Sequence, residues 1–333
     1  MHESESMLIR IFKQNAPVIP LLLLLAGLLL WTDGFLMATG TGLATEGLAP
    51  LYRLLVMAFE NTPLLSVMVA FVLLMLQVFL INYMVQANNL LGKPSWLPGF
   101  LYLLLMSSDP SLISMHPVLV ANLFLIWALA RTLTAYSEGD VMAEVFNVGF
   151  LIALAGLFYY PAIVFFLWLL VVLGVYFLLS FRGLAAALMG FLTPFFFLVT
   201  WYYLSDQLDL KIGQMTTRFD PFLLFEQPYE SFAVIMMLAL ALISILSFVK
   251  INVGYVADKP IRIRKRIRVL VYFFVVALAS ILLATRFDVH HGLLMPPLAI
   301  AWSVLLLETK RKWMADLMLY LFLALVIAGK VFF

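Results

Sequence analysis

PLLSVMVAFVLLMLQVFLINYM, residues Pro63–Met84, is the stretch whose reading decides the fold. It contains no charged side chain. As a helix rising 1.5 Å per residue it reaches roughly 33 Å, enough to cross a hydrocarbon core of about 30 Å. The chain around it has the same character. Of 333 residues, 65% are hydrophobic and only 11% charged, with a mean hydropathy of +1.08. A water-soluble domain is nearer half apolar and a quarter charged. So much apolar surface does not fit inside one aqueous core, and lipid must solvate the rest. The expected fold class is all-α: a polytopic transmembrane helical protein, built as one integral membrane domain over residues 1–333.

Upstream of this segment a first span is expected near Ala16–Met37. Arg10 and Lys13 precede it, as in a secretory signal. Yet Trp31-Thr32-Asp33-Gly34-Phe35 puts bulky and charged residues where cleavage needs small ones, so an uncleaved span is the better reading. Between the two spans lie the polar stretch Ala38–Glu46 and the short amphipathic segment Leu48–Glu60. Leu51, Leu54, Leu55 and Ala58 recur there at helical spacing, and the segment is expected to lie along the interface.

Downstream, after Gln86-Ala87-Asn88-Asn89, further spans are expected at Leu97–Met106, His116–Ala130, Phe146–Leu157, Ile163–Leu179 and Leu184–Leu204, the last with Pro194 as a kink. Phe232–Val249, Val269–Ala284, Leu293–Leu307 and Trp313–Ile327 complete a set of about eleven. The count is ten or eleven, because Leu97–Met106 is short for a bilayer and either spans tilted or re-enters.

Orientation follows from the basic residues. With the N-terminus in the cytoplasm, fifteen of the twenty Lys and Arg fall inside and five (Arg53, Lys211, Arg218, Arg286 and Lys330) fall outside. Seven of the inner ones crowd the basic cytoplasmic loop 250–268, read as an orientation and lipid-headgroup device. The setting is a bacterial inner membrane, with lipids as partners and no nucleic acid, since the cluster is juxtamembrane and lacks a folded reader.

The chemistry must then come from the outer segments, near 37–61 and 205–230. The absence of cysteine excludes disulfides, thiolate metal sites and Cys nucleophiles. No P-loop, G-x-S-x-G, H-E-x-x-H or dinucleotide fingerprint occurs. Mid-span ionisable residues are nearly absent, which disfavours a pump. Outer acids beside outer arginines can supply a general base, or hold a phosphate or a divalent metal; no cofactor is otherwise implied. Asp33 stands at the mouth of the first span between aromatic residues, where it either serves chemistry or caps a turn. Arg218 is a fixed cation suited to a phosphate, or merely the partner of Asp220. Glu46, Glu60 and Arg53 lie on the other outer segment. His290-His291, with Asp288 and Arg286, make a weak metal pair because neighbouring side chains diverge on a helix.

Two resemblances add to this. Asn88-Asn89-Leu90-Leu91-Gly92-Lys93, Asn122-Leu123-Phe124, Phe146-Asn147-Val148-Gly149-Phe150, Tyr159-Tyr160-Pro161 and Leu192-Thr193-Pro194-Phe195-Phe196 resemble a family of uncharacterised multi-pass inner-membrane proteins of Bacteroidota. That resemblance implies no activity. The order of parts, and the hairpin from Gly149 to Pro161, are similar to membrane glycosyltransferases of the C superfamily, which use polyprenyl-phosphate sugars. This similarity implies Asp33 as the catalytic acid of the first outer loop and Leu48–Glu60 as a juxtamembrane helix. The expected function is thus glycosyltransferase-like work on a lipid-linked sugar at the periplasmic face, with Asp33, Glu46 and Glu60 catalytic and Arg218, Arg53 and Asp220 binding substrate. The alternatives are a non-catalytic scaffold or assembly partner, or a lipid flippase or transporter.

Overall fold

The computed structural model describes residues 18–36, 49–135, 141–208, 259–283 and 287–309, with isolated positions between 245 and 251 and between 313 and 326. Among them the chain is helical, and no strand occurs. The principal helices are α1 (Ile19–Leu30), α2 (Pro50–Phe59), α3 (Pro63–Ala87), α4 (Leu97–Met106), α5 (Pro117–Ala135), α6 (Val141–Phe158), α7 (Phe165–Val175), α8 (Phe181–Leu204), α9 (Ile261–Ala279) and α10 (Met295–Glu308). Proline opens six of them, at Pro20, Pro50, Pro63, Pro98, Pro117 and Pro296, where the missing N–H would have had no helical acceptor. By length and composition, six helices among the described residues can cross a membrane: Pro63–Ala87, Pro117–Thr134, Val141–Phe158, Phe181–Leu204, Ile261–Leu283 and His291–Glu308.

The centre of the bundle is α4, whose ten residues are all buried. A helix of that length rises only about 15 Å, half a hydrocarbon core, so it is a plug wrapped by other helices rather than a lipid-facing span. It runs antiparallel to α3. The Gly99 amide donates to Asn82 Oδ1 at 3.0 Å, and one turn further on the Tyr102 hydroxyl donates to Gln77 Oε1. A Cβ at Gly99 would sit 2.0 Å from Asn82 Nδ2, so only glycine allows this approach. α1 packs antiparallel to α3 in turn, with Gly27 against Phe71 and Met75 and Gly34 against Val67.

Helix ends therefore gather at two levels. At one end the Arg131 guanidinium meets Glu144 at 3.1 Å, joining α5 to α6. Arg266 is buried there, donating from Nε to Leu133 O (3.1 Å) and from Nη1 to Asn88 O (2.9 Å). Those carbonyls terminate α5 and α3, where the helix dipoles favour a cation. This corrects the expectation of a basic loop running on to residue 268. Arg262–Arg268 form the first two turns of α9, and Arg266 is spent on protein carbonyls rather than on headgroups.

Candidate functional site

The opposite end is organised by the connection Ser107–His116, between α4 and α5. Asp109 caps its short 3-10 turn, Oδ1 accepting from the Ser111 amide (2.8 Å) and hydroxyl (2.7 Å). Three other parts of the chain dock on this connection. Trp31 Nε1 donates to Ser107 Oγ at 3.2 Å, and the Gly34 position lies against Ile113. The Tyr52 hydroxyl donates to Met115 O at 2.8 Å. His291 Nε2 lies 3.5 Å from Asp109 Oδ2.

A second set of bonds ties the next two hairpin turns together. The Tyr159 hydroxyl lies 2.6 Å from His290 Nδ1, and His290 Nε2 lies 3.1 Å from Ser280 Oγ. Because Ser280 gives its own proton to Ala277 O at 2.7 Å, it must accept from the imidazole. Hence His290 carries its proton on Nε2, and Nδ1 accepts from Tyr159. Burial, and then the neighbouring His291, push the His290 pKa down to about 3, so the ring is neutral at physiological pH. Asn122 Nδ2 donates to Gly292 O at 2.8 Å, anchoring the same turn to α5. Deeper still, Gln77 Nε2 donates to Leu119 O at 2.9 Å.

Asp33 lies exposed on the helical turn Thr32–Leu36, directly after Trp31 and beside Gly34. Arg53 and Glu60 are exposed on or at the end of α2, with Arg53 in electrostatic reach of Tyr202. The two elements carrying these groups are thus brought to one segment, Ser107–His116. Glu46, Arg218 and Asp220 lie outside the described residues, as does most of 205–230. α2 exists as expected, over Pro50–Phe59. Tyr52 and Val56 point inward, while Leu54 (61% exposed) and Ala58 point out. In a lipid-solvated protein an apolar stripe need not mark the protein-facing side.

His290 and His291 do not act as a pair on one ion, because both nitrogens of His290 are engaged by Tyr159 and Ser280 while His291 points to Asp109. Among the described residues no group of three or more His, Cys, Asp or Glu side chains is placed to hold a metal.

Sequence reasoning passed over Trp31, Tyr52, Gln77, Asn122, Tyr159 and Ser280 as site-building residues. The available signal was weak but real: Gln77 and Asn122 are amides inside apolar runs, and Tyr159 belongs to the quoted Tyr-Tyr-Pro turn.

No curated protein and no solved structure matches the chain. A family model does match, over residues 49–332, which takes in α2 through α10 and the polar end they build. The chain belongs to that family, a family of unknown function (DUF6427).

Proposed function

We propose that this protein spans a bacterial inner membrane about eleven times, with its N-terminus and basic end in the cytoplasm, and that its opposite face works on a lipid-linked substrate of the polyprenyl-phosphate type. The observation that carries this reading is the shared docking of two charged elements on Ser107–His116: the Asp33 turn through Trp31 and Gly34, and α2 through Tyr52. Rigid support beneath exposed charges is what a reacting group needs, since a catalytic acid or base must be held within hydrogen-bond reach of its proton. The resemblance to membrane glycosyltransferases supplies the substrate class.

In the proposed step Asp33 takes the proton of an acceptor hydroxyl as that oxygen bonds to the sugar's anomeric carbon. The carbon–oxygen bond to phosphate breaks, and polyprenyl phosphate leaves. Arg53 and Arg218 offset the charge on the departing phosphate, Asp220 orients Arg218, and Glu46 or Glu60 assists the base.

The test is turnover of polyprenyl-phosphate sugars by the purified full-length chain in lipid nanodiscs. Asp33→Asn is expected to lower the rate at least about a hundredfold while leaving the unfolding midpoint unchanged, as loss of a general base does. A folded Asp33→Asn variant with unaltered turnover removes Asp33 from the mechanism. Absence of turnover with every such donor favours the second reading, a membrane scaffold or assembly partner. That reading is favoured by the outer face of α8, where Phe196, Phe197, Trp201 and Tyr203 are exposed.

A further inference from the structure

Among the described residues three helices end in the same way. After α3, α7 and α8 one residue enters the left-handed region: Asn89 at φ 51°, Phe177 at φ 59° and Asp206 at φ 52°. In each case the following amide reaches back five residues, Leu90 to Val85 O (3.1 Å), Leu178 to Leu173 O (2.8 Å) and Gln207 to Tyr202 O (3.0 Å). This is the Schellman turn, whose left-handed position suits glycine, and after glycine Asn and Asp. Asn89 and Asp206 obey that preference. Phe177 does not, and burial gives nothing in return, for its side chain is 84% exposed.

What lies around Phe177 is cationic. Tyr176 packs inward beside Arg266, and the turn then throws Phe177 outward, where Lys265 Nζ sits 4.7 Å from the ring centroid. Arg262, one helical turn before Lys265, is exposed, as are Phe181 and Arg182 at the start of α8. Neither Tyr176–Leu184 nor Lys259–Arg268 contains an acidic residue, so the charge of these segments is not offset from within them. An outward aromatic ring flanked by lysine and arginine, at the level where the helices end, has the chemistry of a bilayer's headgroup layer. The ring enters among glycerol and upper acyl carbons while the cations meet phosphate.

We infer that the Tyr176–Ser180 turn and the first two turns of α9 form a binding site for the headgroup of an anionic phospholipid, with Phe177 inserted and Lys265, Arg262 and Arg182 on the phosphate. The site rests on the membrane placement of the helices and is independent of any chemistry at the opposite end. It also gives the strained Phe177 backbone a role beyond the contact of its ring with Lys265.

The experiment uses the purified full-length chain in detergent. Native mass spectrometry measures retention of added phosphatidylglycerol against phosphatidylcholine, and thermal unfolding is followed in parallel. Phosphatidylglycerol is expected to be retained preferentially, and Lys265→Gln or Arg262→Gln to reduce that preference about fivefold each. Phe177→Gly is the sharper variant. It relieves the left-handed strain, so it should raise the unfolding midpoint without lipid while weakening phosphatidylglycerol retention. Equal retention of the two lipids, or full selectivity in both Phe177→Gly and Lys265→Gln, would overturn the proposal. So would displacement of the lipid by inorganic phosphate at equal concentration, because the site would then be one for a soluble anion.

Discussion

His290 ties two parts of the polar end together, because one imidazole joins the turn after α6, through Tyr159, to the end of α9, through Ser280. The arrangement requires the neutral ring: a proton on Nδ1 would leave the Tyr159 hydroxyl without its acceptor and place a charge in a buried position beside His291. The pH dependence follows in sign. The folded pKa lies near 3 and the ordinary value is 6.5, so between these limits the unfolded chain binds a proton that the folded chain lacks. Stability is then full above about pH 6.5 and falls as pH drops towards 3, by at most about 1.4 kcal/mol per unit. Unfolding midpoints measured from pH 7 to pH 4 should decline in the native chain. In His290→Asn they should start lower, by about 1–3 kcal/mol for the bonds left unmade, and depend less on pH. An identical acid decline in both proteins would remove His290 from the effect.

At the scale of helices, α6 and α8 bring their backbones into close contact. A Cβ at Gly190 would lie 2.1 Å from Phe146 O, and one at Gly149 would lie 2.5 Å from Ala187 O. Such contact between backbones is how helices associate where no hydrophobic effect drives them together. Gly190→Ala should therefore cost about 1–3 kcal/mol through overpacking. Gly174→Ala in α7, where a Cβ would meet nothing within 4 Å, should be neutral or mildly stabilising. Equal midpoints for the two variants would mean that the crossing is looser than described. Among the described residues the helices were legible in the sequence, because apolar runs such as Pro63–Met84 and the prolines that open them are local signals. The beginning of α9 was not. Arg262–Arg268 reads as a solvated basic loop until Arg266 is seen to bond carbonyls of Leu133 and Asn88, far away in the chain. The site was legible only in its exposed charges: Asp33, Arg53 and Glu60 announce themselves, whereas Trp31, Tyr52 and Tyr159 gain meaning only from partners on other helices.

For the whole molecule, the two ends differ in kind. Among the described residues one end gathers Arg131, Arg182, Arg262, Lys265 and Arg266, with Glu144 paired to Arg131; the other gathers Asp33, Asp109, His290 and His291, with α2 and its Arg53 laid beside them. The proposed sidedness rests on that division, because short segments rich in Lys and Arg are retained in the cytoplasm. Both proposals depend on it, the lipid-linked substrate at one face and the anionic headgroup at the other. The most direct measurement uses the fact that the chain has no cysteine of its own. Asn61→Cys and Lys93→Cys would place single thiols at exposed positions flanking the two ends of α3. A membrane-impermeant maleimide added to intact spheroplasts is predicted to label Asn61→Cys at once and Lys93→Cys only after permeabilisation. Labelling of both from outside would contradict a membrane-spanning α3, and the reverse order would contradict the proposed orientation.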